Sequence, residues 1–485
     1  MPGPLYAGID LGTSRAKLRV YDEEGRLVER ADRPEPLHKQ GGKAWHDPEE
    51  LKKILGELMN IAREAGARAI GVSLYRASVA AWRPGGEPVT RIILWLDRDL
   101  HRRAADLLPL PGRIARRLPI YNRVLAPWSP LPLIGMLHRE NPGARVWTAD
   151  ALLLEWLGHG YKSEPAAAAL TGAINPASLR PVPLALRLAG ASGLEVPEIG
   201  YNVLEPGPHG VSAMLPDQQA ALVGLGCGTG CVKLSLGTGF FADTVLPGKP
   251  PIPPPRGLVP LVVYRVPGET RWGLEALAPG AGYAVDSIVR AIGGWGEIGG
   301  LSPEDCKDWP GAILIPVYSP HPAFPRLSRP VLVGPLSGRG RAEIACAAIM
   351  GAVALAVHTL HLLASKAGRP SRIVITGGLT RLPLIRALLG EALPGPLEAC
   401  PEDLTPRGVA ALAARAVGLS PPQPPECAGS GGASWGESTS LARLVRGLLE
   451  DPLDEAVADD LAAALEVLAD RAGKREEPQQ TSSHR

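Results

Sequence analysis

Gly8-Ile9-Asp10-Leu11-Gly12-Thr13-Ser14 ends one apolar run and precedes another, Ala16 to Tyr21. It reads as a strand, a tight Gly-Thr turn and a returning strand. The phrase recurs mid-chain as Leu234-Ser235-Leu236-Gly237-Thr238-Gly239, ahead of Phe240 to Val245. Such a turn aims backbone N–H groups and a Thr hydroxyl at one spot, which suits a phosphate oxygen. One copy reads equally well as an ordinary hairpin. Two copies imply two similar half-molecules, each holding one end of a phosphate chain.

The remaining sequence is consistent with that division. At 485 residues the chain has room for about two to four domains with large apolar cores. Hydrophobic residues make up 45% and charged residues 21%, the balance of a globular protein. A net charge of +2 gives no electrostatic case for nucleic acid or an anionic membrane. The six cysteines are scattered and lack a C-x-x-C pair, so reduced thiols and a cytoplasmic location are expected. Cys227 and Cys231 lack a second ligand pair and read as small packing residues. Met1-Pro2-Gly3-Pro4 has no basic region before the first strand, so no secretory signal is expected. Ile344 to Ala364 is uncharged and long enough to span a bilayer. Its alanines and His358, Thr359 and His361 favour a helix packed within a core instead.

Along the chain, strands are expected over 5–21, 27–30, 69–73, 91–96 and 372–376, and helices over 131–140, 148–158, 280–292, 342–367 and 384–389. Asp47-Pro48-Glu49-Glu50 signals a helix start, with Asp47 as N-cap and Glu50 closing a capping box. Strands alternating with helices indicate an α/β fold. Residues 421–440, rich in Pro, Gly and Ser, read as a linker. Two amphipathic helices and a disordered tail are expected over 441–485.

There is no Walker A pattern. The single G-x-G-x-x-G match, at Gly294, follows a helix and is not a dinucleotide signal. The candidate chemistry lies in Gly-rich turns and acids. Asp10 ends the first strand beside Thr13, where a carboxylate can hold magnesium or simply bond locally. Asp217 precedes Gln218-Gln219-Ala220-Ala221 and reads as a helix N-cap. A helix N-terminus also keeps a carboxylate ionised and able to accept a proton. Asp97, before Arg98, reads as a ligand contact or an ion-pair partner.

Taken in order, Gly8 to Thr13, Gly71-Val72-Ser73 with Arg76, Trp95-Leu96-Asp97-Arg98, Asp217 to Ala221, Leu236 to Gly239 and Thr376-Gly377-Gly378 resemble the FGGY carbohydrate kinases, on the glycerol kinase-like side. The resemblance covers 5–419. It implies two actin-like (ribonuclease-H-like) domains with an interdomain cleft, 1–228 and 229–420, followed by the linker and helical extension. It also implies ATP, Mg²⁺, a small polyol or ketose as the partner, and a homodimer as a possible assembly. On the phosphate and metal side, it puts Asp10 with the metal, Thr13, Ser14, Gly237 and Thr238 on the phosphates, and Gly334, Gly377 and Gly378 on the nucleotide. On the acceptor side, Asp217 becomes the general base, with Gln218, Arg76, Trp95 and Trp128 lining the pocket.

The sequence departs from the family pattern. Ala77 stands where glycerol kinases have a Glu after the Arg, and Trp128 replaces a common Tyr. Arg381-Leu382 occupies the place of an expected Asn, and Pro335 and Met350 break a second signature. The reading is therefore a kinase acting on a primary hydroxyl, with the acceptor open. A xylulokinase-type pentulose kinase and a non-catalytic actin-like nucleotide-binding protein are the alternatives.

Overall fold

The computed structural model describes residues 3–35, 37–118, 120–302, 304–306, 313–317, 330–333, 340–393, 397–400 and 403–430. The chain divides into two compact units. The first is Met1–Lys233 with Asp243–Glu275 and Glu402–Glu426; the second is Leu234–Ala242 with Ala276–Pro401 and Cys427–Arg485. The sequence suggested contiguous blocks, 1–228 and 229–420, whereas the compact units are interleaved along the chain.

In the first unit, Leu5–Leu11 and Arg15–Tyr21 form an antiparallel hairpin. The five-stranded sheet runs Val211–Pro216, Ala67–Leu74, Leu5–Leu11, Arg15–Tyr21, Leu27–Pro34. Its first three strands are parallel and buried almost throughout, which explains their continuous apolar runs. The helix Leu404–Ala416 packs so closely on this sheet that only glycine fits beneath it. A Cβ on Gly8 would lie 1.8 Å from Pro406 O, and one on Gly71 2.2 Å from Val409 O. The helix Pro48–Glu64 begins as expected at Asp47, whose carboxylate accepts from the N–H groups of Glu49 and Glu50. Glu50 does not close a capping box; its carboxylate meets the His38 ring at 3.2 Å.

The second sheet runs Leu258–Val266, Glu269–Ala278, Phe240–Val245, Cys231–Leu236, Arg372–Thr376, Leu397–Ala399, Ala428–Ser430. Arg372–Thr376 and Leu397–Ala399 are parallel. Thus each unit places two parallel strands beside the first strand of a Gly-Thr hairpin, with a further strand beyond the second. This repeated order gives the two similar halves expected from the repeated phrase, in the actin-like arrangement that the family resemblance implied. The apolar helix Arg341–Ala367 is long enough to cross a membrane, yet 78% of its most apolar stretch is buried within the protein.

Two expectations are corrected. Cys227–Cys231 and Cys306–Cys346 are disulfides, each with Cα atoms 5.4 Å apart. The loop after helix Asp217–Gly224 folds back on itself to bring the first pair together. A turn packed against helix Arg341–Ala367 brings in the second, and spacing along the sequence reveals neither. The expected linker is also shorter, because Ala428–Ser430 pairs antiparallel with Leu397–Ala399. Residues 431–440 of the expected linker and the 441–485 helices lie outside the described residues.

Candidate functional site

In the first unit the hairpin turn is tied back from several sides. Gly12 N–H donates to Arg15 O at 3.1 Å, and Glu35 N–H donates to Ser14 O at 3.1 Å. His46 Nε2–H donates to Thr13 O at 3.0 Å. With the Thr13 and Ser14 carbonyls occupied in this way, the turn's outer rim carries the Thr13 hydroxyl and the exposed Ser14. Trp95 Nε1–H reaches Thr13 Oγ1 at 3.3 Å. Trp95 is itself linked to Arg76, since Ser78 Oγ accepts from Trp95 N–H and donates to Arg76 O, both at 3.3 Å.

The ring that holds the turn is a buried neutral cluster. Tyr75 O–H donates to His46 Nδ1 at 3.0 Å, which leaves Nε2 as the protonated nitrogen. Burial pulls the His46 ring down to about 4. Glu35 Oε2 lies 3.1 Å from His46 Nδ1, and both side chains are buried. Burial, followed by the charge of Asp10, pushes the Glu35 carboxyl up to about 9. A neutral acid therefore faces a neutral ring at pH 7.

The sign of the resulting pH dependence follows directly. Between about 4.5 and 9 the unfolded chain loses the Glu35 proton first, so stability falls as pH rises. His46 acts at the other end, where stability is lost as pH falls from about 6.5 towards 4. Glu35→Gln is expected to preserve turnover and to flatten the alkaline loss. Urea midpoints of variant and parent should separate in the variant's favour between pH 5 and 8.5. Parallel curves would contradict a protonated Glu35.

Asp217 is the first residue of the helix Asp217–Gly224, and Pro216, not Asp217, is its N-cap. The proline-set backbone before it moves the helix start one residue earlier than expected. Asp217 Oδ1 accepts from Gln218 N–H at 2.8 Å and lies 3.7 Å from Arg76 Nε. Arg76 Nη2 meets Glu275 at 2.8 Å. Burial opposes the charge on Arg76, but Glu275, with Asp217 and Asp243, outweighs it and the guanidinium stays charged. Burial pushes Glu275 up to about 8, with Arg76 pulling it down and Asp243 pushing it up.

Asp10 is buried in register with Ser73. Burial, then the charge of Asp403, pushes its carboxyl well above the usual range; Lys17 pulls it down and Asp217 adds to the push. Carboxylates that feel one another's charge suit a hard divalent cation, although among the described residues no group of three His, Cys, Asp or Glu side chains is placed to hold a metal.

Two candidates stand apart from this cluster. Trp128 is 57% exposed. Asp97 is 1% exposed and acts as a cap, accepting from Leu100 N–H at 2.8 Å and Ala44 N–H at 3.0 Å.

Sequence reasoning passed over a buried ion pair behind Gln218. Lys233 Nζ lies 2.8 Å from Asp243 Oδ2 and donates to Gln218 Oε1 at 2.7 Å. The only signal was one lysine inside the apolar run Cys231-Val232-Lys233-Leu234.

In the second unit, the Gly237-Thr238 turn, Gly377 and a helix start converge. Gly377 has φ +100°, and a Cβ there would lie 2.6 Å from Leu236 O. Only glycine allows this approach. The helix Ala281–Ala291 begins against the same turn, with Tyr283 N–H donating to Thr238 O at 3.1 Å. Gly378 opens the short helical turn Gly378–Arg381. Gly334 lies outside the described residues.

Carbohydrate kinases are among the known proteins similar to this chain. Residues 5–179 match the N-terminal domain of the FGGY family of carbohydrate kinases. A glycerol kinase of Rhodospirillum centenum is 27% identical over 458 residues, covering 86% of this chain and 90% of its own length. Among solved structures, a Plasmodium falciparum glycerol kinase with ADP superposes with a TM-score of 0.72 at 19% identity, covering 95% of this chain and 98% of its own. A ligand-bound xylulose kinase from Lactobacillus acidophilus gives 0.76 at 19% identity, covering 95% and 99%. Residues 5–179 thus carry the N-terminal domain of the FGGY family of carbohydrate kinases, and over most of its length the chain is similar to kinases, which marks it as a phosphotransferase.

Proposed function

We propose that the chain transfers the γ-phosphoryl group of ATP to a primary hydroxyl of a small polyol or ketose, with Asp217 as general base. The observation that carries this reading is the placement of Asp217 at a helix start, 3.7 Å from a charged Arg76 and within electrostatic reach of Asp10. A carboxylate there accepts a hydroxyl proton as the oxygen attacks in line. Arg76, braced by Glu275, orients the acceptor by hydrogen bonding. Gln218, held by Lys233, takes a neighbouring hydroxyl and Trp95 offers an apolar face, while Trp128 is assigned to the acceptor by resemblance alone.

The Thr13-Ser14 turn donates to the transferred phosphate, Gly237-Thr238 to the phosphates nearer the nucleoside, and Gly377-Gly378 admits the adenosine. Gly334 is assigned to the nucleotide by resemblance alone. Asp10 would hold Mg²⁺, which when bound neutralises the charge on the phosphates.

The acceptor follows from what lines the pocket beside Arg76. Ala77, at φ +58°, brings no carboxylate to bind glycerol-like hydroxyls. A pentulose is thus a second reading, alongside the fold's likeness to a xylulose kinase. A panel of polyols and ketoses with ATP is expected to give one acceptor with a clearly dominant kcat/KM, and failure across the whole panel overturns the kinase reading. Ala77→Glu is expected to move preference towards glycerol by about tenfold or more, since paired hydroxyls discriminate strongly. An unchanged order of acceptors would show that residue 77 does not face the acceptor.

A further inference from the structure

We propose that Cys400 and Cys427 form a cystine site, joining in the oxidised protein as a third disulfide that fastens the edge strand Ala428–Ser430 to Leu397–Ala399. The two strands are antiparallel with Leu397 opposite Ser430, Glu398 opposite Gly429 and Ala399 opposite Ala428. One further step of this register sets Cys400 opposite Cys427. Residues directly opposed in such a ladder have Cα atoms about 4.5–5.5 Å apart, inside the window of about 4.4–6.8 Å that a disulfide needs. The Cys427 thiol is held up chiefly by its interaction with Cys400. The other four cysteines are disulfide-bonded, so this bond completes the pairing of all six.

The surroundings set the pH dependence of exchange at this place. Cys427 is the more exposed of the two and Cys400 is buried. Arg372 is bonded to Glu398 at 2.7 Å, and its charge is also felt by both sulfurs. A nearby guanidinium favours the thiolate that exchange requires. Contact with Cys400, then burial, holds the Cys427 thiol up, so exchange quickens as pH rises.

The oxidant is an external disulfide, either low-molecular-weight or on a protein. Cys427 thiolate attacks it, forming a mixed disulfide and releasing one thiol. Cys400 then attacks Cys427 Sγ and releases the second. Two protein thiols lose two electrons and two protons, and the external disulfide becomes two thiols.

The bond would also brace the nucleotide-side turn. Cys400 N–H donates to Ile375 O at 3.1 Å, and Ile375 lies two residues before Gly377 on the strand Arg372–Thr376. Fixing Cys400 therefore fixes the end of the strand that carries Gly377 and Gly378.

The test uses the full chain purified in air, with free thiols blocked at lysis and peptides mapped without reductant. The expected result is one reductant-sensitive species joining the Cys400 and Cys427 peptides, formed completely after incubation with glutathione disulfide. Both cysteines alkylated after that incubation, or either joined to a different cysteine, overturns the proposal. As a second measurement, Cys427→Ser is expected to lower the thermal midpoint by about 3–10 °C in oxidised protein, because the closed loop constrains the unfolded chain. In reductant the variant and parent should melt within about a degree of each other, and an equal loss in both conditions also overturns it. Neither measurement uses turnover, so the result stands apart from the kinase reading.

Discussion

Asp217→Asn is expected to cut turnover by about 10²–10⁴-fold while leaving nucleotide affinity within about twofold. Asparagine keeps the size of the side chain and an oxygen to accept from Gln218 N–H, which Asp217 now receives at 2.8 Å. The helix start should therefore survive. What is lost is proton affinity and the negative charge 3.7 Å from Arg76. Steady-state turnover with the best acceptor, paired with calorimetric titration of ATP, separates these effects. A variant that keeps full turnover removes Asp217 as base. A parent protein that binds ATP but phosphorylates nothing, with the variant indistinguishable from it, favours the non-catalytic reading. The result also bears on Arg76, because losing the carboxylate leaves Glu275 as its main partner and should weaken acceptor binding more than nucleotide binding.

The fold was legible because its strands carry period-independent signals. Gly8 and Gly71 sit in buried parallel strands whose runs are mostly apolar, broken at Asp10, Arg68 and Ser73, and the Gly-Thr turns punctuate both sheets. Asp47 and Pro48 fixed a helix start by cap chemistry that is local in sequence. The interleaving of the units was not legible, since Leu404–Ala416 packs on a sheet whose strands begin at Leu5, and nothing in that helix's own pattern names its partner. The cysteines misled for a similar reason: Cys306 meets Cys346 across forty positions, a distance that only the fold closes.

The turns of the candidate site were legible at Thr13, Thr238 and Gly377, because tight turns favour particular residues. The site was obscure where a role depends on a charged side chain hidden in an apolar strand. Glu275 follows Leu274 and precedes Ala276, and by alternation it reads as a solvent-facing position. The structure buries it against Arg76 instead. The sequence around His46 signals only the helix start at Asp47, although the ring holds the first turn by the Thr13 carbonyl.

Lys233→Met tests the largest of these hidden charges. Lys233 and Asp243 are each 1% exposed in their side chains, so removing the ammonium leaves a carboxylate buried without its counter-ion. Breaking such a pair costs about 3–5 kcal/mol, and the urea midpoint of the variant should fall accordingly. Gln218 also loses the donor that fixes its Oε1 at 2.7 Å, so the acceptor KM should rise. The double variant Lys233→Met/Asp243→Leu tells the two effects apart. Replacing a buried ion pair by apolar side chains of similar volume is often neutral or stabilising, so the double variant should regain most of the lost stability. It does not restore a donor to Gln218, and its acceptor KM should stay raised while its ATP KM stays near the parent's. Removing Asp243 also removes a charge that pushes Glu275 up, so Glu275 should ionise at lower pH and hold Arg76 more firmly. If the double variant recovers acceptor binding together with stability, Lys233 serves the fold alone and Gln218 needs no support from it.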